Sequence, residues 1–237
     1  RLYRLTENKH FLELAKKFID ERGKAPDFWA REAKKRSWSV WNSDPWDNDY
    51  RQSAKPVREQ TEAVGHAVRA VYLYTGMADL AAETEDKELF AACRRLWGNI
   101  VHRKMYITGG IGSTVQGEAF TVDYDLPPDT AYSETCAAIG LIFFAEKMLE
   151  NEINGEYGDV MELVFYNTVL AGMQLDGKRF FYVNPLEVDI GISGKACTHS
   201  HVLPSRPKWY ACACCPPNAA RLIGSIGKYA YGEKGDT

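Results

Sequence analysis

The chain has 237 residues, of which 45% are hydrophobic, 26% charged and 12% aromatic, and its formal net charge is −3. That balance offers no electrostatic attraction to nucleic acid or to an anionic membrane, so neither is expected as a partner. The longest apolar run, Cys136 to Phe144, falls well short of the roughly 20 residues that a membrane span needs.

Leu5 to Arg22 is predicted as a helix, with Phe11, Leu12, Leu14, Ala15 and Phe18 forming its apolar stripe. Ala25 to Ala54 is rich in Trp, Asp and Pro and reads as a long loop. Its Trp38, Trp41 and Trp46 fit either plain loop packing or contact with the C–H faces of a sugar. Val57 to Tyr74 follows as a second helix, with Glu59, Glu62, His66 and Arg69 on its polar side, and Glu88 to Val101 as a third. Gly109 to Ser113 opens a loop that ends in Pro127-Pro128. No Lys-Ser/Thr pair follows those glycines, so they are not a phosphate loop. Ser133 to Leu149 is apolar nearly all round and reads as a buried helix. Asp159 to Ala171 is a fifth helix, Phe180 to Val183 a short strand, and Asn218 caps a sixth helix that reaches Tyr229. Helix after helix without βα alternation predicts an all-α array, either a toroid of helical hairpins or an irregular bundle. The chain starts on Arg1 and stops in turn-rich residues after Tyr231, as expected of a piece of a longer protein.

Three of the six cysteines, Cys212, Cys214 and Cys215, fall within four residues. Clustered thiols suit a metal in a reducing compartment better than a disulfide framework, which points to the cytoplasm. Glu134, Cys136, Cys214 and Cys215 would offer zinc one oxygen and three sulfurs. Residues two apart do not share a helix face, so Glu134 and Cys136 can chelate together only at a helix start or in a loop. Cys214 and Cys215 likewise precede a helix, whose positive end favours thiolate. A closed site that staples two helices and a catalytic one both remain open on this spacing. Cys212 reads as a bystander, and the His199/His201 pair as part of an exposed loop.

Longer motifs narrow the choice. The segment from Tyr50 to Tyr74, Met105-Tyr106-Ile107-Thr108-Gly109-Gly110-Ile111-Gly112 and Gly117-Glu118-Ala119-Phe120 resemble the family 127 glycoside hydrolases. So do Asp129 to Cys136 and Cys212-Ala213-Cys214-Cys215-Pro216-Pro217-Asn218. The resemblance implies a retaining exo-β-L-arabinofuranosidase whose catalytic domain is an (α/α)6 barrel followed by β-sandwich domains. This chain would then be the later part of that single barrel, residues 1–237, with one or two short strands and with the first part and the sandwiches missing. It further implies Glu118 as acid/base, Cys214 as nucleophile, and Glu134, Cys136, Cys214 and Cys215 as zinc ligands. His66, Glu162 and Tyr182 would contact sugar hydroxyls. An acid/base needs a raised carboxyl pKa, so Glu118 is expected beside apolar or anionic groups. The alternatives are a non-catalytic zinc-stapled scaffold and a zinc hydrolase of other specificity.

Overall fold

The helix Thr135–Asn151 buries residues around most of its circumference and so must be covered on several sides, while Ala67–Thr84 buries one broad face. The structure is a computed structural model that describes residues 1–39, 42–210 and 212–231. In chain order its helices are α1 (Leu2–Thr6), α2 (Lys9–Glu21), α3 (Phe28–Arg36), α4 (Ala67–Thr84), α5 (Lys87–Asn99), α6 (Thr135–Asn151), α7 (Gly155–Val164) and α8 (Cys215–Ile223). Asp86 caps α5 by accepting from Leu89 N, and Asn154 caps α7 by accepting from Glu156 N. The links between α4 and α5 and between α6 and α7 are therefore short, and each pair forms an antiparallel hairpin.

Cross-helix contacts give the direction of the long helices. Val71 and Tyr72 lie against Gly140, the Tyr74 ring sits 5.8 Å from Phe144, and Asn151 Nδ2 donates to Ala78 O. Contacts that climb together along both chains mean that α4 and α6 run parallel. α8 runs the same way: Cys215 meets Cys136, Tyr229 stacks 6.1 Å from Phe143, and Lys228 Nζ reaches Glu146 at 3.0 Å. The returning helices sit outside, with Trp97 of α5 edge-on to Phe144 (5.6 Å) and to Tyr157 of α7 (4.9 Å). Hairpins with parallel inner helices are the repeating unit of a helical toroid, so the toroid is the alternative that holds.

Several boundaries differ from the sequence reading. The predicted first helix is broken at Glu7, which takes a left-handed conformation (φ 56°), and Asn8 then caps α2. Its apolar stripe is largely uncovered: only Ile19 is buried and Phe18 is 66% exposed. The Trp-rich loop contains α3, while Trp41 lies outside the described residues. The second helix begins at Ala67 rather than Val57. Gly65 holds φ +69°, and a Cβ there would fall 2.3 Å from Asp49 O, so no helix can pass through it. Among the described residues Phe180 to Val183 forms no strand, only bridges from Phe180 to Met173 and from Val183 to Glu134. No helix among them is long and apolar enough to cross a membrane.

One buried cation ties the loops at the site end. Lys104 is 3% exposed, and its ammonium donates to Glu62 Oε1 (2.6 Å), Ala63 O (3.0 Å) and Thr121 O (2.7 Å). Lys104→Met would strand two buried carbonyls, and urea unfolding should show a loss of about 2–3 kcal/mol. An unchanged midpoint would mean that the three contacts contribute nothing net.

Candidate functional site

Because α4, α6 and α8 run parallel, their N-termini meet at one end, and the cap residues there are His66, Glu134 and Cys214. Glu134 sits just outside the first turn of α6, and Cys136 inside it. That placement lets residues two apart face the same point, as the spacing requires. Cys214 caps α8 and Cys215 is its first helical residue. Pro216 and Pro217 lie within the first turn rather than ahead of it, and the cap is Cys214 instead of the expected Asn218.

The four predicted ligand atoms converge. Cys136 Sγ lies 3.4 Å from Cys215 Sγ, Cys214 Sγ lies 3.7 Å from Cys215 Sγ, and Glu134 Oε1 is 3.5 Å from Cys214 Sγ and 3.8 Å from Cys215 Sγ. All four atoms fall within 4.8 Å of one another, a group able to hold a metal ion. Glu134, Cys136 and Cys215 are buried and Cys214 is only half-buried. Burial, then the charges of Glu118 and Cys214, push the Glu134 carboxyl up to about 8. Hydrogen bonds from Cys136 and Cys215 lower the proton affinity of the Cys214 thiol. The Tyr182 hydroxyl, 3.2 Å from that sulfur, can donate to it.

Glu118 occupies the rim of the same cluster. It follows Gly117 in a tight turn closed by paired bonds between Thr114 and Ala119, and both residues have positive φ, 71° and 54°. A Cβ on residue 117 would meet the Tyr50 ring at 2.9 Å, so only glycine fits. Left-handed backbone at Glu118 is strain that the surrounding contacts must hold in place. Its carboxylate accepts from Tyr132 OH (2.7 Å) and from His66 Nε2 (3.0 Å). His66 Nδ1 accepts from Arg69 N (3.4 Å), which puts the ring proton on Nε2, facing Glu118. His66, Glu118 and Glu134 also offer atoms within 4.8 Å of one another, so the acid joins the cysteine cluster through Glu134.

Two expectations are corrected. The Glu118 pKa is lowered, not raised, above all by the His66 hydrogen bond, which outweighs burial. Glu162, expected to contact sugar, lies exposed near the C-terminal end of α7, outside the group of converging ligand atoms. His199 and His201 are not in a free loop. His199 Nε2 pairs with Asp129 Oδ2 at 3.1 Å and His201 Nε2 donates to Thr130 O at 3.0 Å, pinning their loop beside the entry to α6.

Sequence reasoning passed over Tyr132 and Tyr210. Tyr132 stands two residues before Glu134 and holds Glu118; Tyr210 packs 5.4 Å from Tyr182 and backs it. Both lie in segments whose proximity only the fold creates. The one available signal was the position of Tyr132 inside the Asp129–Cys136 motif.

Comparison with known proteins places this geometry. The family model for the β-L-arabinofuranosidase GH127 catalytic domain matches residues 1–228. The chain is 46% identical over 241 aligned residues to the non-reducing end β-L-arabinofuranosidase of Bifidobacterium longum subsp. longum. The match covers 99% of this chain and 36% of that protein. Among solved structures, a GH127 β-L-arabinofuranosidase from Geobacillus stearothermophilus T6 superposes with a TM-score of 0.93 at 51% identity. That match covers 99% of this chain and 37% of the other. A second GH127 β-arabinofuranosidase gives 0.80 at 42% identity, covering 97% and 31%. The chain thus spans little more than a third of the length of the relatives it matches.

The thiol ordering can be checked directly. In metal-stripped protein, iodoacetamide at pH 6 should label Cys214 ahead of Cys136 and Cys215, read by peptide mass mapping. Cys93, buried on α5 with its thiol pushed up to about 12 by desolvation, should stay unlabelled to about pH 10. Labelling of Cys215 before Cys214 would reverse that order.

Proposed function

The chain belongs to the GH127 β-L-arabinofuranosidase catalytic-domain family, and from that premise we propose that it carries the catalytic centre of a retaining exo-glycoside hydrolase. Its substrates would be β-L-arabinofuranosides, from which it releases L-arabinofuranose. We further propose that the chain forms part of one helical-barrel domain, that Glu134, Cys136, Cys214 and Cys215 hold zinc, and that Cys214 and Glu118 react with the sugar. Free cysteines in such a site suit a reducing compartment such as the cytoplasm.

Zinc suits the donor set. A tetrahedron with zinc–sulfur bonds of about 2.3 Å has sulfur–sulfur edges of about 3.8 Å. The sulfur–sulfur separations of 3.4 and 3.7 Å and the sulfur–oxygen separations of 3.5 and 3.8 Å lie close to that figure. When bound, zinc would keep the thiols ionised at neutral pH and offset the repulsion among four anionic ligands.

The observation that carries the reading is the unequal burial of the three sulfurs beside an oriented carboxylate. Cys136 and Cys215 are 4% and 1% exposed, so a sugar has no route to them, whereas Cys214 is partly open and lies beside the Tyr182 hydroxyl. A retaining mechanism needs a nucleophile below the anomeric carbon and an acid near the leaving oxygen, two roles usually filled by two carboxyls. Here the Cys214 sulfur would attack the anomeric carbon, forming a carbon–sulfur bond as the glycosidic oxygen leaves. Glu118 would give that oxygen its proton, then take one from the water that cleaves the carbon–sulfur bond. To serve first as an acid, Glu118 must hold a proton that the His66 bond disfavours. A sugar hydroxyl that draws His66 away, in a cleft emptied of water, would raise its pKa to suit. Tyr182 would steady the sulfur and contact the sugar. A mere staple between helices would require neither the strained turn at Glu118 nor an open sulfur.

The test uses the full-length protein and 4-nitrophenyl β-L-arabinofuranoside. Glu118→Gln should lower kcat by about 10²–10⁴ on substrates with poor leaving groups, less on the nitrophenyl glycoside, while zinc content stays at the wild-type level. Cys214→Ser should abolish turnover, and wild-type protein quenched early should carry one pentosyl unit on Cys214. Inversion at the anomeric carbon, seen by proton NMR, or full turnover by Cys214→Ser would refute the mechanism. Chelation should likewise abolish activity, and added zinc restore it.

A further inference from the structure

Tyr132 and Glu134 serve opposite halves of the site. The Tyr132 hydroxyl holds the Glu118 carboxylate at 2.7 Å, and Glu134 lies among the thiols. The residue between them, Ser133, has a left-handed backbone (φ 40°) and is fully buried, and its hydroxyl has no partner among the described residues. An L-residue resists that conformation and an orphaned buried hydroxyl adds to the cost, so contacts from elsewhere must hold Ser133 in place. Gly110 leaves the room it needs, since a Cβ on residue 110 would fall 1.9 Å from Ser133 Oγ.

The holding contacts come from one residue. Asn184 Nδ2 donates to Ser133 O and to Thr135 Oγ1, each at 3.0 Å. Its backbone N–H is shared between Ser133 O (3.2 Å) and Tyr132 O (3.3 Å). Only the nitrogen of the amide can face this way: Ser133 O is an acceptor, and the Thr135 hydroxyl gives its own proton to Phe181 O at 2.9 Å. Asn184 therefore grips the chain on both sides of Glu134. The same crossing carries Tyr182, because Thr135 N donates to Tyr182 O at 2.9 Å and Glu134 bridges to Val183. The Tyr182 ring stands edge-on to Tyr132 at 6.2 Å, with its hydroxyl 3.2 Å from the Cys214 sulfur. Glu134 caps α6 without bonding its side chain to the helix, which leaves the carboxylate free to face the thiols.

We infer that Asn184 is a positioning residue: by holding the strained Ser133, it fixes Tyr132 against Glu118, Glu134 toward the thiols and Tyr182 beside Cys214. The inference rests on the reading of Glu118 and Cys214 as the reacting pair and of Glu134 as a metal ligand. Asn184 bonds to none of those three side chains, so its influence is on geometry alone. Without its donor Ser133 can relax to negative φ, which turns the chain on both sides at once. A contact that merely stabilises the fold would lower the folded fraction and leave each folded molecule fully active.

The experiment uses full-length wild type, Asn184→Leu and the isosteric Asn184→Asp, which keeps the shape but sets an oxygen against Ser133 O. Turnover of 4-nitrophenyl β-L-arabinofuranoside is measured per folded molecule, with the folded fraction read by circular dichroism. Zinc affinity is read by competition with a chromogenic chelator. Both variants should lose about 10–100-fold in kcat and bind zinc about 10-fold more weakly, with KM within about threefold of wild type. Combined with Tyr132→Phe, Asn184→Leu should cost less than the product of the two single effects, since both disturb the same contact. A kcat per folded molecule within about twofold of wild type in both variants, or effects that multiply independently with Tyr132→Phe, overturns the inference. Wild-type protein that binds zinc but cleaves no arabinofuranoside removes the proposed function, and the affinity comparison then decides the inference. Wild-type protein that does neither removes both.

Discussion

Like charges brought together in a buried place repel one another, and the architecture answers that problem before any bound group does. Three parallel helices start at one point, and each start carries partial positive charge. Glu134 and Cys214 cap two of them and His66 caps the third. An antiparallel bundle would alternate positive and negative ends and could not gather a carboxylate and three thiols in this way. The outer helices α5 and α7 make the parallel arrangement possible by returning the chain to the starting end after each inner helix. The wholly apolar face of α6 follows from the same layout, since it is covered by α4 and α8 at its flanks and by α7 behind.

Helix dipoles weaken within a turn and cannot carry the whole load. The remaining compensation is local and differs around the cluster. Cys214 is served by a phenol, Cys136 lies against the Cys215 sulfur, and Glu134 Oε2 is buried with no partner among the described groups. Such an orphaned oxygen is costly in a native interior, and the high proton affinity of Glu134 expresses the same cost. A cation bound between Glu134, Cys136, Cys214 and Cys215 would resolve both at once.

Much of the fold was legible because its strongest signals are also its physical drivers. α6 declared itself by apolar residues on every side, and α5 by the spacing of Leu89, Cys93, Leu96, Trp97 and Ile100. Periodicity misled where a backbone constraint intervened: Val57 and Val64 sit at helical spacing with Val68 and Val71, but the left-handed Gly65 forbids a continuous helix. At Glu7 the break has no glycine or proline to announce it. Phe180 to Val183 has strand composition, yet the chain uses it to brace the entry to α6: Thr135 N donates to Tyr182 O, and Asn184 Nδ2 donates to Ser133 O. The stripe of α2 kept its periodicity although, apart from Leu12, which packs against the core, it is largely uncovered among the described residues, so helical pattern there did not mean burial.

The site shows the reverse balance. The convergence of Glu134, Cys136, Cys214 and Cys215 was legible from chemistry and short-range geometry, because a Glu and a Cys two apart can face one point only where a helix begins. The roles within the ligand set were not legible, since the three thiols are identical as letters and differ only in what covers them. Burial closes Cys136 and Cys215 to solvent and leaves Cys214 at the edge of the cluster. The Glu118 carboxylate defeats sequence reasoning more deeply. From the chain alone an acid is expected among apolar or anionic groups, yet here two donors, one of them the cap of a distant helix, lower its proton affinity although Glu134 lies close by. Its proton affinity is therefore a property of the His66 contact, and any ligand that competes for His66 alters the acid without touching it. The coupling follows from the tautomer: Arg69 N occupies Nδ1, so Nε2 carries the only ring proton, and that proton can serve either Glu118 or an arriving hydroxyl with full strength, but not both.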